Sequence, residues 1–309
     1  MLSIVTPSFN QRVFLEETIR SVLLQNYPAL EYMVIDGGST DGSQELLEKY
    51  GEHLSYWISE PDKGQCDALN KGLRRSCGEI WAYINSDDRY AAGTFQKVVE
   101  RFVTGDSPLW ITGEATYIDV AGSFVSHLVP GAAVSVAATL TRWKGVAPVA
   151  IQVSNFMSRR VLDEFGYFDP SLHFSMDFEF GLRLMAQGIT PLVISEVLAE
   201  ARLHPASKTV SKGSKGEFLR EDVMIAERFL YCLSDEERSA AMQHLDDARY
   251  WVWLRDLNSR NASAGLANAI GRLLRSCTTR ERRFLIRRAT AGMLRRWFLS
   301  GSRDNPLTS

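Results

Sequence analysis

The strongest constraint on the fold is an alternation in the first 90 residues: four short apolar runs interleaved with three segments of helical periodicity, each run ending in a polar loop. The run Leu2–Thr6 is stopped by Pro7, and Phe14, Leu15, Thr18, Ile19, Val22 and Leu23 then recur at helical spacing. Tyr32–Ile35 is a second strand, ended by Asp36-Gly-Gly-Ser-Thr-Asp-Gly42, with Leu46, Leu47 and Tyr50 marking the next helix. A third strand is expected at Leu54–Ser59, a helix at Gln65–Ser76 and a fourth strand at Glu79–Ile84. Strands and helices alternating at this pitch build right-handed βαβ units and a mostly parallel sheet flanked by helices. Ligands bind such sheets beyond the carboxyl ends of the strands. The loops there read TPSFNQ, DGGSTDG, SEPDKGQ and NSDD, which suits a polar, phosphate- or metal-bearing ligand.

The pattern is less regular from about 106, with strands at Leu109–Thr112 and Pro191–Ile194 and helices at Arg159–Phe165 and Phe178–Gln187. Residues 1–105 therefore read as one half of a domain and 106–210 as the wall that completes its cleft, with 217–300 as a helical C-terminal appendage. A Ser/Lys/Gly-rich stretch, Ser207–Gly216, reads as a flexible connection, and Ser234–Glu237 and Thr278–Glu281 read as capping boxes. The last helices carry Arg272, Arg275, Arg280, Arg282, Arg283, Arg287, Arg288, Arg295 and Arg296 among apolar residues. Either an interfacial helix on anionic lipid or a solvated basic face fits that pattern.

Lys+Arg 35 against Asp+Glu 37 leaves a net charge of −2, which gives the whole chain no bias toward nucleic acid. A 45% hydrophobic and 23% charged composition excludes a disordered or low-complexity chain. The scattered Cys66, Cys77, Cys232 and Cys277 form no zinc motif and read as reduced thiols. The apolar run starting at residue 2 leaves no room for a signal peptide, and no stretch reaches the ~20 apolar residues of a membrane span. The expected location is cytoplasmic, with peripheral contact at the membrane's cytoplasmic face through the basic helices.

The sharpest local feature is Asn85-Ser86-Asp87-Asp88, directly after an apolar strand. Adjacent carboxylates in a cleft repel unless a cation offsets them, and hard oxygen ligands suit Mg²⁺ or Mn²⁺. Alone, the same residues describe a polar turn or helix cap. Asp36–Gly42 is also a turn sequence, in which Asp41 or Ser43 could cap the next helix. No G-x-G-x-x-G follows the first strand and no G-x-x-x-x-G-K-[ST] occurs, which disfavours a nicotinamide dehydrogenase and a P-loop NTPase.

IVTPSFNQ, YMVIDGGSTDGS, SEPDKGQCDALNKG and GEIWAYINSDD, in this order and spacing, resemble the family 2 glycosyltransferases with the GT-A fold. The similarity continues through Gly166–Asp169, Met176–Glu179 and Arg202–Thr209 and covers roughly residues 1–210. The resemblance implies that Thr6, Pro7 and Ser8 line a nucleoside pocket, that Asp36 contacts the base, and that Lys63, Asp67 and Asn70 shape the donor side. It implies that Asp87 and Asp88 match the family's D-x-D-type element on ribose and metal, with Asn85 where many relatives carry the first Asp. His204 then stands near the diphosphate as a metal ligand or phosphate donor. Asp177 matches the catalytic base, with Glu179 supporting it or facing solvent. Gln152, near Asn155, stands where relatives carry Gln-Pro on the acceptor side, with Val153 replacing the proline.

The implied activity is a metal-dependent, inverting transfer of a sugar from a nucleotide-diphosphate donor, a UDP-sugar, to the hydroxyl of a glycan or lipid-linked acceptor in cell-surface glycan synthesis. A positioned carboxylate such as Asp177 can take the acceptor's proton in the transition state. The alternative is a non-catalytic nucleotide-sugar-binding or membrane-docking protein on the same fold. Nucleotidyl transfer would call for a Gly-rich basic loop after the first strand, and TPSFNQ is not one.

Overall fold

The computed structural model describes residues 1–104, 108–131, 135–140, 148–211 and 214–259. The chain divides into two compact units, Met1–Leu245 and Asp246–Ser309, and the site lies wholly in the first. The arginine-rich segment and the Thr278–Glu281 capping box fall outside the described residues.

In chain order the elements are β1 (Leu2–Ser8), α1 (Arg12–Leu23), β2 (Leu30–Asp36), α2 (Ser43–Tyr50), β3 (Tyr56–Ser59), α3 (Gln65–Arg75), β4 (Ile80–Tyr83), β5 (Arg89–Tyr90) and α4 (Thr94–Val103). They continue as β6 (Trp110–Ile118), β7 (Phe124–Leu128), α5 (Val136–Thr139), β8 (Asn155–Ser158), α6 (Arg159–Phe165), α7 (Met176–Met185), β9 (Leu192–Arg202), α8 (Ser214–Phe229) and α9 (Asp235–Ser259). One sheet runs β3-β2-β1-β4-β8-β6-β9-β5, with β7 paired to β6. Its first four strands are parallel, as the βαβ pattern predicts, and β8 and β5 join antiparallel to β4 and β9. Both sequence-defined halves thus contribute to one sheet.

Alternation along the strands assigns the two faces. Ile4, Val34 and Ala82 share a core with Leu15, Ile19 and Val22 of α1, Leu46 and Leu47 of α2, and Phe95 and Val98 of α4. On the opposite face Trp81 meets Phe168 and Phe180 edge-on, with centroids 6.1 and 6.0 Å away. There α3 approaches β1 so closely that a Cβ on Gly72 would lie 2.5 Å from Val5 Cγ1 and 3.3 Å from Ile35 Cγ1. We expect Gly72→Ala to destabilise the protein by about 1–2 kcal/mol, because overpacking outweighs the gain in helix propensity. Urea unfolding checks this, and an unchanged midpoint would show that the sheet yields freely.

Pro7 does not end β1, which continues to Ser8 in register with Asp36. The Val5 carbonyl accepts the Ile84 N–H and the Ser8 carbonyl accepts the Gly37 N–H, so residues 5 and 7 face β4 and residue 8 faces β2. Pairing with β4 stops at Val5, so the N–H that Pro7 lacks removes no ladder bond. Ser207–Gly216 also departs from the sequence reading. Ser207 is buried, a turn closes through Ser211, and α8 begins at Ser214. Ser234 and Glu237 do form a capping box, with reciprocal bonds of 3.0 and 3.3 Å. Among the described residues no helix is long and apolar enough to cross a membrane.

Candidate active site

The carboxyl ends of β1, β2 and β3 bring Ser8, Asp36 and Ser59 into one row. Asp36 is fully buried, and a buried carboxylate must be satisfied by donors. Its oxygens accept the Ser39 hydroxyl (2.6 Å), the Ser39 and Gly38 N–H groups (2.8 and 3.2 Å) and the Ser59 hydroxyl (2.5 Å). The carboxylate expected to touch a base is therefore committed to shaping the Gly37–Gly42 loop. Gly38 there has φ +81°, a backbone region that glycine occupies without strain. Within this row, Ser8 Oγ is buried with no hydrogen-bond partner among the described residues.

Asp41 answers the capping question. It accepts the Arg12 N–H (2.8 Å) on one oxygen and the Ser43 N–H and hydroxyl (3.1 and 2.6 Å) on the other, so one side chain caps both α1 and α2. Burial works to raise its pKa, but these bonds outweigh it and hold the carboxyl below its ordinary value.

The antiparallel pairing of β5 with β9 sets Arg89 opposite Glu200, which carries Arg202 and His204 past Asp87 and Asp88. His204 Nε2 lies 2.9 Å from Asp87 Oδ2. Asp88 turns the other way: Oδ1 accepts the Arg202 N–H (2.8 Å), Oδ2 accepts the Asn85 amide (3.2 Å), and its carbonyl accepts the Thr18 hydroxyl (2.6 Å). Burial first, and the charge of Asp87 second, push the Asp88 carboxyl well above the usual carboxylate range. Asp88, expected as a metal ligand, is thus an internal anchor, and only Asp87 of the pair reaches His204. Arg202 completes the anchor. Its guanidinium donates to the carbonyls of Asp87 (2.9 Å), Asp119 and Val120 (both 3.1 Å), pairs with Glu17 and lies 4.9 Å from the Phe14 ring centre.

Three donor-side expectations find other partners. Thr6 Oγ1 lies 3.1 Å from the Tyr32 hydroxyl in the core rather than on a pocket wall, because residue 6 shares the sheet face of Ile4. Asn70 bonds the Phe168 backbone with both amide atoms (2.9 and 3.1 Å) and so pins the turn that leads toward α7. Asp67 accepts the Lys63 N–H (3.2 Å) at the start of α3 and lies 3.6 Å from Lys71, while the Lys63 side chain is exposed. Pro7 is buried in β1.

Asp177 occupies the first turn of α7, where the helix dipole favours a negative charge. It borders a small cavity of about 60 Å³ lined by Trp81, Tyr83, Trp110, Phe168 and Phe178. Burial raises the pKa of the Tyr83 hydroxyl, which lines the same cavity, and the charge of Asp177 adds to it. Glu179 is buried, not solvent-facing: it pairs twice with Arg183 (3.1 and 2.6 Å), whose guanidinium also holds the Phe165 and Tyr167 carbonyls.

Sequence reasoning missed Gln65, Glu221 and Asp222, and it named Asn85, Gln152 and Asn155 without the bonds they make. The Gln65 amide donates to Asn85 Oδ1 (2.6 Å), and the Asn85 amide donates to Gln152 Oε1 (3.1 Å), so Asn85 joins the α3 side to the wall ahead of β8. Gln152 stands out by its place in the sequence, but its link to Asn85 spans 67 residues and has no local signal. Asn155, beside it, accepts the Trp110 indole N–H (3.2 Å). Glu221 of α8 accepts the backbone N–H groups of His173, Phe174 and Ser175 (2.9, 2.8 and 2.8 Å), and Asp222 accepts the Ser175 hydroxyl (2.6 Å). A helix beyond the resembling segment therefore holds the entry to α7.

A mixed sheet flanked by helices, with polar loops at the carboxyl ends of its parallel strands, is the architecture of the GT-A class. Residues 3–166 match the family described as Glycosyl transferase family 2, and the chain belongs to that family. TuaG of Bacillus subtilis, a glycosyltransferase assigned to teichuronic acid biosynthesis, is 33% identical over 116 residues, 37% of this chain and 46% of that protein. This chain thus matches about half of TuaG's length. The glycosyltransferase Rv1514c of Mycobacterium tuberculosis is 29% identical over 203 residues, 64% of this chain and 74% of that one. In fold, the chain is similar to Staphylococcus aureus TarS 1–349 in complex with UDP-GlcNAc, with TM-score 0.63, 18% identity and coverage of 91% and 82%. It is also similar to the mannosyltransferase PcManGT of Pyrobaculum calidifontis in complex with GDP-Man and Mn²⁺, with TM-score 0.58, 16% identity and coverage of 94% and 80%.

Proposed function

We propose that the protein transfers a sugar from a nucleotide-diphosphate donor, a UDP-sugar, to an acceptor hydroxyl with inversion at the anomeric carbon. The observation that supports this reading is a set of contacts beyond the strand ends: Asp87 meets His204, and Asn85 bonds both Gln65 and Gln152, while Asp177 stands in the first turn of α7. Residues 1–105 would supply the donor-binding half and 106–210 the acceptor-binding half. The TarS complex with UDP-GlcNAc and the PcManGT complex with GDP-Man support a nucleotide-sugar donor.

The donor set tests whether a divalent ion fits. Among the described residues no three His, Cys, Asp or Glu side chains gather into a metal site. A small hard cation needs no such cage, since it is held by one or two side chains while phosphate oxygens and waters complete its shell. Asp87 Oδ2 and His204 Nε2, 2.9 Å apart, supply an oxygen and a nitrogen and fit that role, and the PcManGT complex contains Mn²⁺. Bound there, Mn²⁺ or Mg²⁺ would supply Lewis-acid stabilisation of the charge on the departing diphosphate.

The chain's own residues account for the rest. Ser8 offers an unpartnered hydroxyl to the nucleoside beside the Asp36 loop. Asp177 accepts the proton of the acceptor hydroxyl as its oxygen bonds to the anomeric carbon and the bond to the diphosphate oxygen breaks. A single displacement from the face opposite the leaving group inverts the centre. The acceptor is a glycan or lipid-linked saccharide of the cell surface, a reading that the name of TuaG supports. The protein would act at the cytoplasmic face of the membrane, with the basic C-terminal segment as its contact.

Calorimetric titration with UDP, GDP and dTDP, with Mn²⁺ and again with chelator, tests the reading. Metal-enhanced binding of one nucleotide is the expected result. Folded protein that binds none of the three under either condition would leave a non-catalytic docking protein as the better account.

A further inference from the structure

The segment after β9 folds back over the cleft. The Ser207 N–H and hydroxyl both donate to the His204 carbonyl (3.0 and 2.9 Å), and the Ser211 N–H donates to the Ser207 carbonyl (2.9 Å). This turn presents Lys208, whose Nζ donates to Gln65 Oε1 (2.7 Å) and to the His173 carbonyl (2.6 Å). Gln65 is the residue that holds Asn85, at the head of the segment carrying Asp87. His173 lies in the loop that opens α7, with its own N–H held by Glu221. One ammonium thus stands where three loops meet, bridging the donor wall and the entry to the Asp177 helix.

The charge there is not directly matched. Its hydrogen-bond partners are neutral carbonyl oxygens, the Phe174 ring centre lies 5.6 Å away, and among the described residues no carboxylate forms an ion pair with Lys208. Lys208 is exposed to solvent, although the protein crowded around its ammonium pushes the pKa down, opposed by the charges of Glu221, Asp177 and Asp87. Of these, Glu221 is already committed to three backbone N–H groups and Asp87 to His204. An exposed ammonium held by two neutral carbonyl oxygens keeps a charge and a donor to offer a bound anion, and charge-assisted bonds are about twice as strong as neutral ones.

We propose that Lys208 is a contact for the diphosphate of the nucleotide donor, a positive charge brought by the post-β9 turn and acting independently of the divalent ion. The proposal rests on the transferase reading and adds to it a residue that closes the cleft over the leaving group. A neutral latch that only ties the loops together is the competing role, and it makes a different prediction.

UDP, uridine and inorganic diphosphate are titrated into the full chain in the presence of chelator, for the wild type, Lys208→Met and Lys208→Arg. Lys208→Met should bind UDP and diphosphate about ten- to a hundredfold more weakly, the effect of losing one charged hydrogen bond, while uridine binding stays within about twofold. Lys208→Arg should recover most of the loss. A Lys208→Met variant that binds UDP as well as the wild type, or loses uridine to the same degree, overturns the contact and leaves the latch. Wild-type protein that binds neither UDP nor diphosphate, with or without Mn²⁺, overturns the transferase reading and the contact together.

Discussion

Asp177→Asn is expected to lower sugar-transfer turnover by about two to four orders of magnitude while leaving nucleotide affinity within about twofold. General-base assistance contributes on that scale, and an amide of the same shape accepts no proton at neutral pH. The variant should fold normally, because an amide at the first turn of α7 keeps the volume of the carboxylate. Nucleotide release in the presence of acceptor, alongside calorimetric affinity for the nucleotide, separates the two effects. A variant with full turnover would remove Asp177 as the base. Product NMR supplies a second check, since retention of the donor's anomeric configuration is incompatible with one displacement.

The second large effect falls on the donor wall. Asp87→Asn and His204→Ala are each expected to abolish most of the Mn²⁺-dependent gain in nucleotide affinity. A drop of about a hundredfold or more is expected, because even residues that only orient metal ligands are worth about 10–100-fold. Asp88→Asn should behave differently. Its carboxyl bonds the Arg202 N–H and the Asn85 amide inside the protein, so the change should lower the unfolding midpoint and spare most of the metal effect. Titration in Mn²⁺ and in chelator, paired with thermal unfolding, distinguishes the two adjacent residues. Equal loss of metal response in the Asp87 and Asp88 variants would contradict the assignment.

Much of the donor wall is legible in the sequence because its signals are local. Strand periodicity and the closing polar loops are enough to place Ser8, Asp36 and Asp87 at strand ends. What the pattern does not show is which partner each polar side chain meets. Thr6 and Ser8 lie on one strand two residues apart, yet one bonds Tyr32 in the core and the other ends beside the cleft without a partner among the described residues. Asn70 sits on the helix that borders the site, but its amide meets the backbone of Phe168, 98 residues away. Glu179 follows Asp177 by two positions, which on a helix turns it about 200° away, toward Arg183 rather than solvent.

The sequence by itself determined the order of strands and helices from β1 to β4, the carboxyl-end placement of their polar loops and the residue types available to a nucleotide-sugar site. These follow from apolar period and turn chemistry, which act over a few residues. The tertiary structure decided which of two neighbouring aspartates faces His204, which buried amides hold the cleft, and that Lys208 and Glu221 reach the entry to the base helix. Those outcomes depend on the register of β5 against β9 and on contacts spanning 35 to 143 residues. A polar side chain's role is set by the partner that satisfies it, and a partner brought in by the fold leaves no trace in the residues alongside.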